Sequence, residues 1–207
     1  MFPAAVSLSG EVPTIDSVIQ ESMTSPLQIV RLPGTAFDIV VGAAAIKPGS
    51  TEINAELLTA IVGWLSSNYD LPANYDRPAI EFVPAETMVA LRHDDVRVDL
   101  WSGSQADVGR IGASLISATT VALYDDTGRI MYLPETWIGS TPVELSVLVH
   151  EMVHHLQNLA GIKFACLEAR EKLAYAAQQD WLALFGHDFF ADFESDPFTV
   201  LVRTSCL

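Results

Sequence analysis

The chain has 207 residues, of which 50% are apolar and 18% charged, so it can bury a core and is neither a disordered tail nor a charged linker. Eleven Lys and Arg against 26 Asp and Glu give a formal net charge of −15, and so acidic a surface repels nucleic acids and anionic lipids. No membrane span is expected, because the longest apolar run, residues 39–46, falls far short of the ~20 residues that a spanning helix needs.

The N-terminal region, residues 1–50, carries five prolines and has weak periodicity. This composition predicts an irregular segment that wraps the rest of the chain, with a single candidate strand at 36–41. The region does not read as a signal peptide, because its first cation is Arg31 and because Pro3 and Pro13 interrupt any apolar stretch. A leader that has been removed is compatible with this pattern.

Residues 51–207 are expected to form one domain. Its first elements are predicted, in chain order, as a helix over 51–68, a short strand over 79–83 and a short helix over 84–91. Ser50 or Thr51 can cap the first helix, whose apolar residues recur at helical spacing. Scattered glycines leave residues 92–117 without a clear pattern.

The second half of the chain begins with a predicted hairpin. Residues 120–124 and 129–133 are rich in Val, Leu, Ile and Tyr, and the Asp-Asp-Thr-Gly sequence of residues 125–128 separates them as a turn. These two strands and the strand at 79–83 are expected to form one small sheet.

Two long helices are predicted to follow the hairpin. Thr141 as N-cap, Pro142 at the first helical position and Glu144 two residues later form a capping-box start. This helix is expected to run to about residue 160, and the second to occupy 167–185.

A last short helix is predicted to start at Asp196, with Phe198, Leu201 and Val202 as its buried face. A few short strands followed by a run of helices indicate the α+β fold class.

The chain contains only two cysteines, Cys166 and Cys206. They predict one disulfide that ties the C-terminal tail to the body, because a terminus usually frays unless it is tied down. The alternative is a pair of buried thiols that pack as small apolar groups. A disulfide would favour an exported protein, periplasmic or secreted, over a cytoplasmic one.

The motif with the clearest chemistry lies inside the first of the two long helices, as His150-Glu151-x-x-His154. Residues four apart lie on one helix face, so the two imidazoles can converge on one metal ion. Glu151 then lies within reach of a water molecule on that ion and can act as its general base. The alternative is a pair of solvated histidines, which the apolar neighbours of the motif disfavour.

A catalytic zinc ion normally takes three protein ligands, so a third must come from elsewhere in the chain. The second long helix offers Glu168 and Glu171. If it packs antiparallel to the first, residue 171 comes level with His154, whereas Glu168 lies about 4.5 Å nearer the turn. The spacing therefore favours Glu171, with an exposed carboxylate as the alternative.

The motif His150-Glu151-x-x-His154, a sixteen-residue gap and then Glu171-x-x-Ala174 resemble the gluzincin group of zinc metallopeptidases over about residues 120–185. The resemblance implies a zincin-like fold, in which a small, mostly antiparallel sheet packs on the active-site helix and further helices follow. It also implies a Zn²⁺ ion held by these two histidines and the glutamate, a peptide or protein substrate, and an edge strand that aligns the substrate. Residues 129–133 are the natural candidate for that strand.

One departure from the gluzincin pattern concerns Tyr175, which stands where many members have Asp. Tyr175 either hydrogen-bonds a metal ligand or donates to the oxyanion of the reaction, or it is an aromatic core residue. His155 is rotated by about 100° from His154 and should not bind the same ion. His187 is a candidate oxyanion stabiliser or an ordinary loop residue. His93 beside two aspartates suggests a second metal site, and a solvated turn explains it as well.

The leading hypothesis is a zinc-dependent hydrolase, most readily a metallopeptidase. A non-catalytic binding module that keeps the scaffold with a structural zinc ion is the alternative, and hydrolysis of a non-peptide amide or ester is a third reading. The oligomeric state is left open.

Overall fold

The computed structural model describes residues 27–42, 45, 53–91 and 122–206. Most of the predicted wrapping segment, the patternless residues 92–117, His93, and the proposed caps Ser50 and Thr51 therefore lie outside the described residues.

Short strands and two helices make up the first part of the described chain, and four helices make up its second part. The elements are β1 (Gln28–Arg31), β2 (Asp38–Val41), α1 (Ala55–Tyr69), β3 (Ala79–Val83), α2 (85–91), β4 (Leu123–Asp125), β5 (Ile130–Pro134), α3 (Pro142–Leu159), α4 (Leu167–Ala183), α5 (Phe189–Asp192) and α6 (Pro197–Arg203). This order confirms the α+β class, and β3 has the bounds that the sequence predicts. None of the described helices combines the length and hydropathy that crossing a bilayer requires.

The strands form two sheets rather than the one predicted. The strand predicted at 36–41 appears as β2, but it pairs antiparallel with β1, which the sequence analysis missed. The second sheet has the order β3-β5-β4, in which β4 pairs antiparallel and β3 parallel with β5. This sheet is therefore mixed and not mostly antiparallel, because the long stretch of chain between β3 and β5 allows a parallel crossover.

Helix α1 starts later than its sequence pattern suggests. Asn54, not Ser50 or Thr51, is its N-cap, and the Asn54 Oδ1 accepts a hydrogen bond of 2.8 Å from the amide of Glu56. At its other end, Tyr69 donates a hydrogen bond of 2.6 Å to Asp180 of α4. Burial, and then this hydrogen bond, raise the pKa of the Tyr69 hydroxyl well above its ordinary value.

Helix α3 begins as predicted, with a capping box in which Thr141 Oγ1 accepts from the Glu144 amide and the Glu144 carboxylate accepts from the Thr141 amide. It is buried on nearly all sides. Its apolar residues share one core with α1, the mixed sheet and α4, and this core includes Trp64, Met131 and Trp181.

Helices α3 and α4 lie antiparallel, since His154 is level with Glu171 and His150 is level with Gln178. The connecting turn uses Gly161 in the left-handed region, at φ 63°. The antiparallel arrangement brings the polar residues of the two helices face to face.

The C-terminal segment is held by the predicted disulfide. Cys166 at the start of α4 and Cys206 beyond α6 are bonded, with their Cα atoms 5.7 Å apart. The prediction that α6 buries Phe198, Leu201 and Val202 is wrong, because these side chains are 72%, 59% and 40% exposed. In the part of the chain that the structure describes, no further layer covers the apolar side of this short helix.

Candidate metal centre

The structure brings together the three predicted ligands between α3 and α4. The Nε2 atom of His150 lies 3.1 Å from Oε2 of Glu171, and Nε2 of His154 lies 3.2 Å from Oε1 of the same carboxylate. One ligand atom from each of the three residues lies within 4.8 Å of the other two. The two imidazole rings meet edge to face, with their centroids 5.0 Å apart.

This donor set fits a divalent metal ion. With bonds of about 2.1 Å and tetrahedral angles, neighbouring ligand atoms are about 3.4 Å apart, close to the separations between the imidazole nitrogens and the Glu171 oxygens. Two imidazoles and one carboxylate leave a coordination position open for a water molecule or a substrate. The residues present could therefore hold such an ion without a change of backbone.

The charge of Glu171 also suits a ligand. Burial by itself raises the pKa of this carboxyl group, but the hydrogen bonds from His150 and His154 outweigh burial and hold it well below its ordinary value. Glu171 is therefore ionised over the whole physiological range. By contrast, Glu168 is exposed on the same helix, as its position relative to the turn predicts.

The imidazole of His150 is oriented by a buried glutamine. Its Nδ1 lies 3.0 Å from Oε1 of Gln178, and Nε2 of Gln178 donates to the hydroxyl of Ser146 at 3.2 Å. An amide oxygen only accepts, so Nδ1 carries a proton in this contact, and Nε2, on the side of Glu171, is the nitrogen left for a metal ion in the tautomer with a single proton. That is the tautomer in which Nε2 can bind a metal ion.

The Nδ1 atom of His154 also lies beside the side chain of a buried glutamine. Nδ1 of His154 lies 3.2 Å from Oε1 of Gln157, whose amide group donates to the carbonyl of Arg170 at 3.1 Å. Both glutamines are buried, at 1% and 4% exposure for Gln157 and Gln178. On the side away from Glu171, each predicted histidine ligand therefore lies within hydrogen-bond distance of a buried glutamine.

Arg170 links this centre to the hairpin turn between β4 and β5. Its Nε donates a hydrogen bond of 3.2 Å to Nδ1 of His154, and its two terminal nitrogens pair with the carboxylate of Asp126. Burial acts to lower the pKa of Arg170, but the hydrogen bond to Asp126 and the negative charges of Asp126, Glu171 and Glu151 together outweigh it, and the pKa is raised. Asn158 of α3 also contacts this turn, because its side-chain amide donates to the carbonyl of Asp126 at 2.7 Å.

Glu151, the predicted general base, lies on α3 between the two histidines in sequence and is only 7% exposed. The electrostatic field of its carboxylate reaches Arg170, whose pKa it helps to raise. The buried Glu151 and the half-buried Glu171 thus lie on facing helices.

Tyr175 lies beside the centre. Its ring packs edge-on against the ring of His150, with centroids 4.9 Å apart, and also against Phe189 at 5.7 Å. Its hydroxyl accepts a hydrogen bond of 3.2 Å from Nη1 of Arg203 in α6. Tyr175 therefore contacts a predicted ligand through its ring, and a role at the oxyanion stays a prediction.

The other described histidines lie away from the ligands, as expected. His155 points to the opposite side of α3, where its Nε2 donates to the carbonyl of Asp76 at 2.7 Å and its Nδ1 accepts from the Tyr124 hydroxyl at 2.9 Å. Burial lowers its pKa, in keeping with a neutral ring. His187 pairs with Asp192 at 3.0 Å in the loop before α5.

The predicted substrate-aligning strand is wrong. Residues 129–133 correspond to β5, which is the central strand of its sheet and has both edges paired. An extended peptide can only add to a free edge. Within the described residues, the free edges of this sheet belong to β3 and β4.

The sequence analysis missed Gln157 and Gln178, although their spacing held a signal. Gln178 lies seven residues after Glu171, two helical turns along the same face, and Gln157 lies three residues after His154. A polar amide on the face that carries a predicted ligand is the pattern that could have identified both.

Comparison with known proteins places the chain in one family. The model of the family described as "Domain of unknown function (DUF6647)" matches residues 85–206. Because this match covers more than half of the chain, the chain belongs to that family. No curated protein and no solved structure matches it.

Proposed function

We propose that this member of the DUF6647 family is a zinc-dependent hydrolase, with peptide bonds as the favoured substrate. The observation that carries the proposal is the convergence of His150, His154 and Glu171, each with one ligand atom within 4.8 Å of the others. Two histidines and one glutamate, with a position left open, are the ligand set of catalytic zinc sites in several peptidases. We further propose that the mixed sheet, α3 and α4 form a zincin-like arrangement.

The zinc ion, when bound, would supply Lewis-acid polarisation of a water molecule and of the substrate carbonyl. Glu151 accepts the proton of the attacking water and passes it to the leaving amine, because a carboxylate buried in the site is a suitable proton carrier. Gln178 accepts from Nδ1 of His150 and so leaves Nε2 of that ring for the metal ion.

The chemistry of the donors supports zinc over magnesium or calcium, which prefer oxygen ligands. The disulfide between Cys166 and Cys206 supports an exported location, since such bonds persist in oxidising compartments. Peptides are favoured over other amides because the described sheet offers free strand edges, to which an extended backbone can pair.

Metal binding is tested by elemental analysis and zinc competition on Glu171→Gln, with Glu168→Gln as the matched control on the same helix. Loss of a residue that only hydrogen-bonds a metal ligand typically weakens metal binding by ~10–100-fold. We expect Glu171→Gln to weaken zinc binding by more than that, and Glu168→Gln to leave the zinc affinity unchanged. Absence of bound zinc in the wild type, with an unchanged melting temperature after chelation, would refute the proposal.

Catalysis is tested by Glu151→Gln on a panel of peptides, N-acyl amides and esters. We expect zinc to stay bound in equimolar amount while turnover falls by about 10²- to 10⁴-fold. If Glu151→Gln leaves every measured property of the wild type unchanged, the chain is a binding module with a structural ion. Turnover of the amides or esters alone would replace peptides as the substrate class.

A further inference from the structure

We propose that Arg203 binds a carboxylate group of the substrate beside the metal centre. This inference rests on the proposed function for the reaction, and it adds the class of substrate: a peptide with a negatively charged group close to the scissile bond.

The position of Arg203 is the first argument. Its Nη1 donates to the Tyr175 hydroxyl at 3.2 Å, and the ring of Tyr175 packs on the ring of His150 with centroids 4.9 Å apart. One aromatic side chain thus separates the guanidinium from a predicted metal ligand.

The second argument is that Arg203 has room for a carboxylate. Arg31 pairs with Asp38, and Arg170 pairs with Asp126. Arg203 is exposed and forms no salt bridge with any described residue, although the chain carries 26 acidic residues. A guanidinium has five N–H donors in a fork that matches a carboxylate, and the contact with Tyr175 occupies only one nitrogen.

The third argument concerns how α6 is held. None of its residues is buried, and Phe198 and Leu201 are largely exposed, so the helix adds little to the core. It is nevertheless fixed near the metal centre, because the disulfide partner Cys206 lies three residues after Arg203. The disulfide therefore holds α6 in place more than burial does, and within α6 Arg203 is the residue that hydrogen-bonds to Tyr175 beside the centre.

The carboxylate could belong to the C-terminus of the substrate or to an acidic side chain, since both present the same two oxygens. Three forms of one peptide separate these sources: a free C-terminal carboxylate, a C-terminal amide, and the amide with a Glu residue next to the scissile bond. Binding is measured by calorimetry on the zinc-loaded Glu151→Gln protein, with and without Arg203→Met. Turnover is measured on the protein that retains Glu151, again with and without Arg203→Met.

We expect Arg203→Met to weaken binding of a carboxylate-bearing peptide by about 10- to 100-fold and to leave the plain amide unchanged. Sensitivity confined to the free C-terminus or to the Glu peptide identifies the source. Arg203→Lys should restore part of the affinity, and the exposed control Arg77→Met should change nothing. Replacing both Cys166 and Cys206 by Ser should mimic Arg203→Met, because it releases α6.

Equal effects of Arg203→Met on all three peptides, or no effect on any of them, overturn the inference. Lack of measurable binding of any peptide to the protein with Arg203 intact also counts against it. The two proposals fail separately. If peptide binding depends on Arg203 but the protein with Glu151 intact hydrolyses no peptide, the proposed function alone is refuted. If the three peptides are hydrolysed equally well whether or not they carry a carboxylate, this inference alone is refuted.

Discussion

Replacing Gln178 with Leu tests whether the buried amide network supports metal binding. Gln178 joins two contacts, to Nδ1 of His150 at 3.0 Å and to the Ser146 hydroxyl at 3.2 Å, and the Ser146 hydroxyl in turn donates to the carbonyl of Val143 at 2.7 Å. Leucine has nearly the same volume as glutamine but accepts no hydrogen bond. The substitution therefore removes the acceptor that selects the His150 tautomer without opening a large cavity.

Two magnitudes follow from this geometry. Leaving the buried Nδ1–H of His150 without an acceptor costs about 1–3 kcal/mol of unfolding free energy in the metal-free protein. Loss of the partner of a ligating histidine weakens metal binding by about 10- to 100-fold. Urea unfolding after chelation measures the first quantity, and competition with a chromophoric zinc chelator measures the second.

The adjacent Gln179 provides the control, because its side chain points about 100° further round α4. Gln179→Leu should change neither quantity by more than the usual range for surface substitutions, about 0.5 kcal/mol. Gln178→Glu restores the acceptor and should bind zinc at least as tightly as the wild type. If Gln178→Leu and Gln179→Leu bind zinc equally well, Gln178 does not orient His150 and our interpretation of the network is wrong.

Three further predictions concern stability. Replacing Cys166 and Cys206 by Ala should lower the unfolding free energy by about 4 kcal/mol, because the disulfide closes a loop with a sequence separation of 40, and denaturant unfolding measures this loss. Thr141→Ala removes one half of the capping box and should cost about 1 kcal/mol in the same assay. Burial and the hydrogen bond to Asp180 raise the pKa of Tyr69 in the folded state, so the unfolded chain loses its tyrosine proton first. The unfolding free energy should therefore fall as the pH rises above about 10, and Tyr69→Phe should make that fall shallower.

Each of these predictions has a matched comparison within the chain. Thr136→Ala, at an exposed threonine before α3, should leave stability unchanged, and a loss equal to that of Thr141→Ala would contradict the capping argument. Tyr75 is 49% exposed, so Tyr75→Phe should keep the alkaline fall of the wild type. Wild-type protein with its disulfide reduced should match the double alanine variant in stability.

Local signals in the sequence are enough to define several elements. The capping residues Thr141 and Glu144 mark the start of α3, because a cap is satisfied by neighbours within one turn. The parallel pairing of β3 with β5 could not be predicted, since it joins segments separated by a long stretch of chain. Strand β1 was missed because three of its four residues are exposed and it shows no alternation of buried and exposed positions.

The three side chains that could hold a metal ion were predictable from the sequence. The spacing of His150 and His154, together with the turn after α3, determines which residue of α4 comes level with them, and Glu171 is that residue. The partners of the ligands were less accessible, because an amide such as Gln178 is common on helix surfaces and only burial distinguishes it. The exposed apolar side of α6 was mispredicted because periodicity shows which residues share a face and not whether anything covers it.

Among the described residues, the mixed sheet has free edges at β3 and β4, and these differ in their connection to the candidate metal ligands. Strand β4 ends at Asp125, and the next residue, Asp126, pairs with Arg170, whose Nε lies 3.2 Å from Nδ1 of His154. No hydrogen bond or salt bridge between described residues joins a side chain of β3 to the ligands in this way. A peptide that adds to the edge of β4 would therefore sit on a strand whose turn is fixed relative to the ligands, so its register along the strand would also set the position of its scissile bond. For this reason we infer that β4, and not the central strand β5, is the edge on which an extended substrate would align.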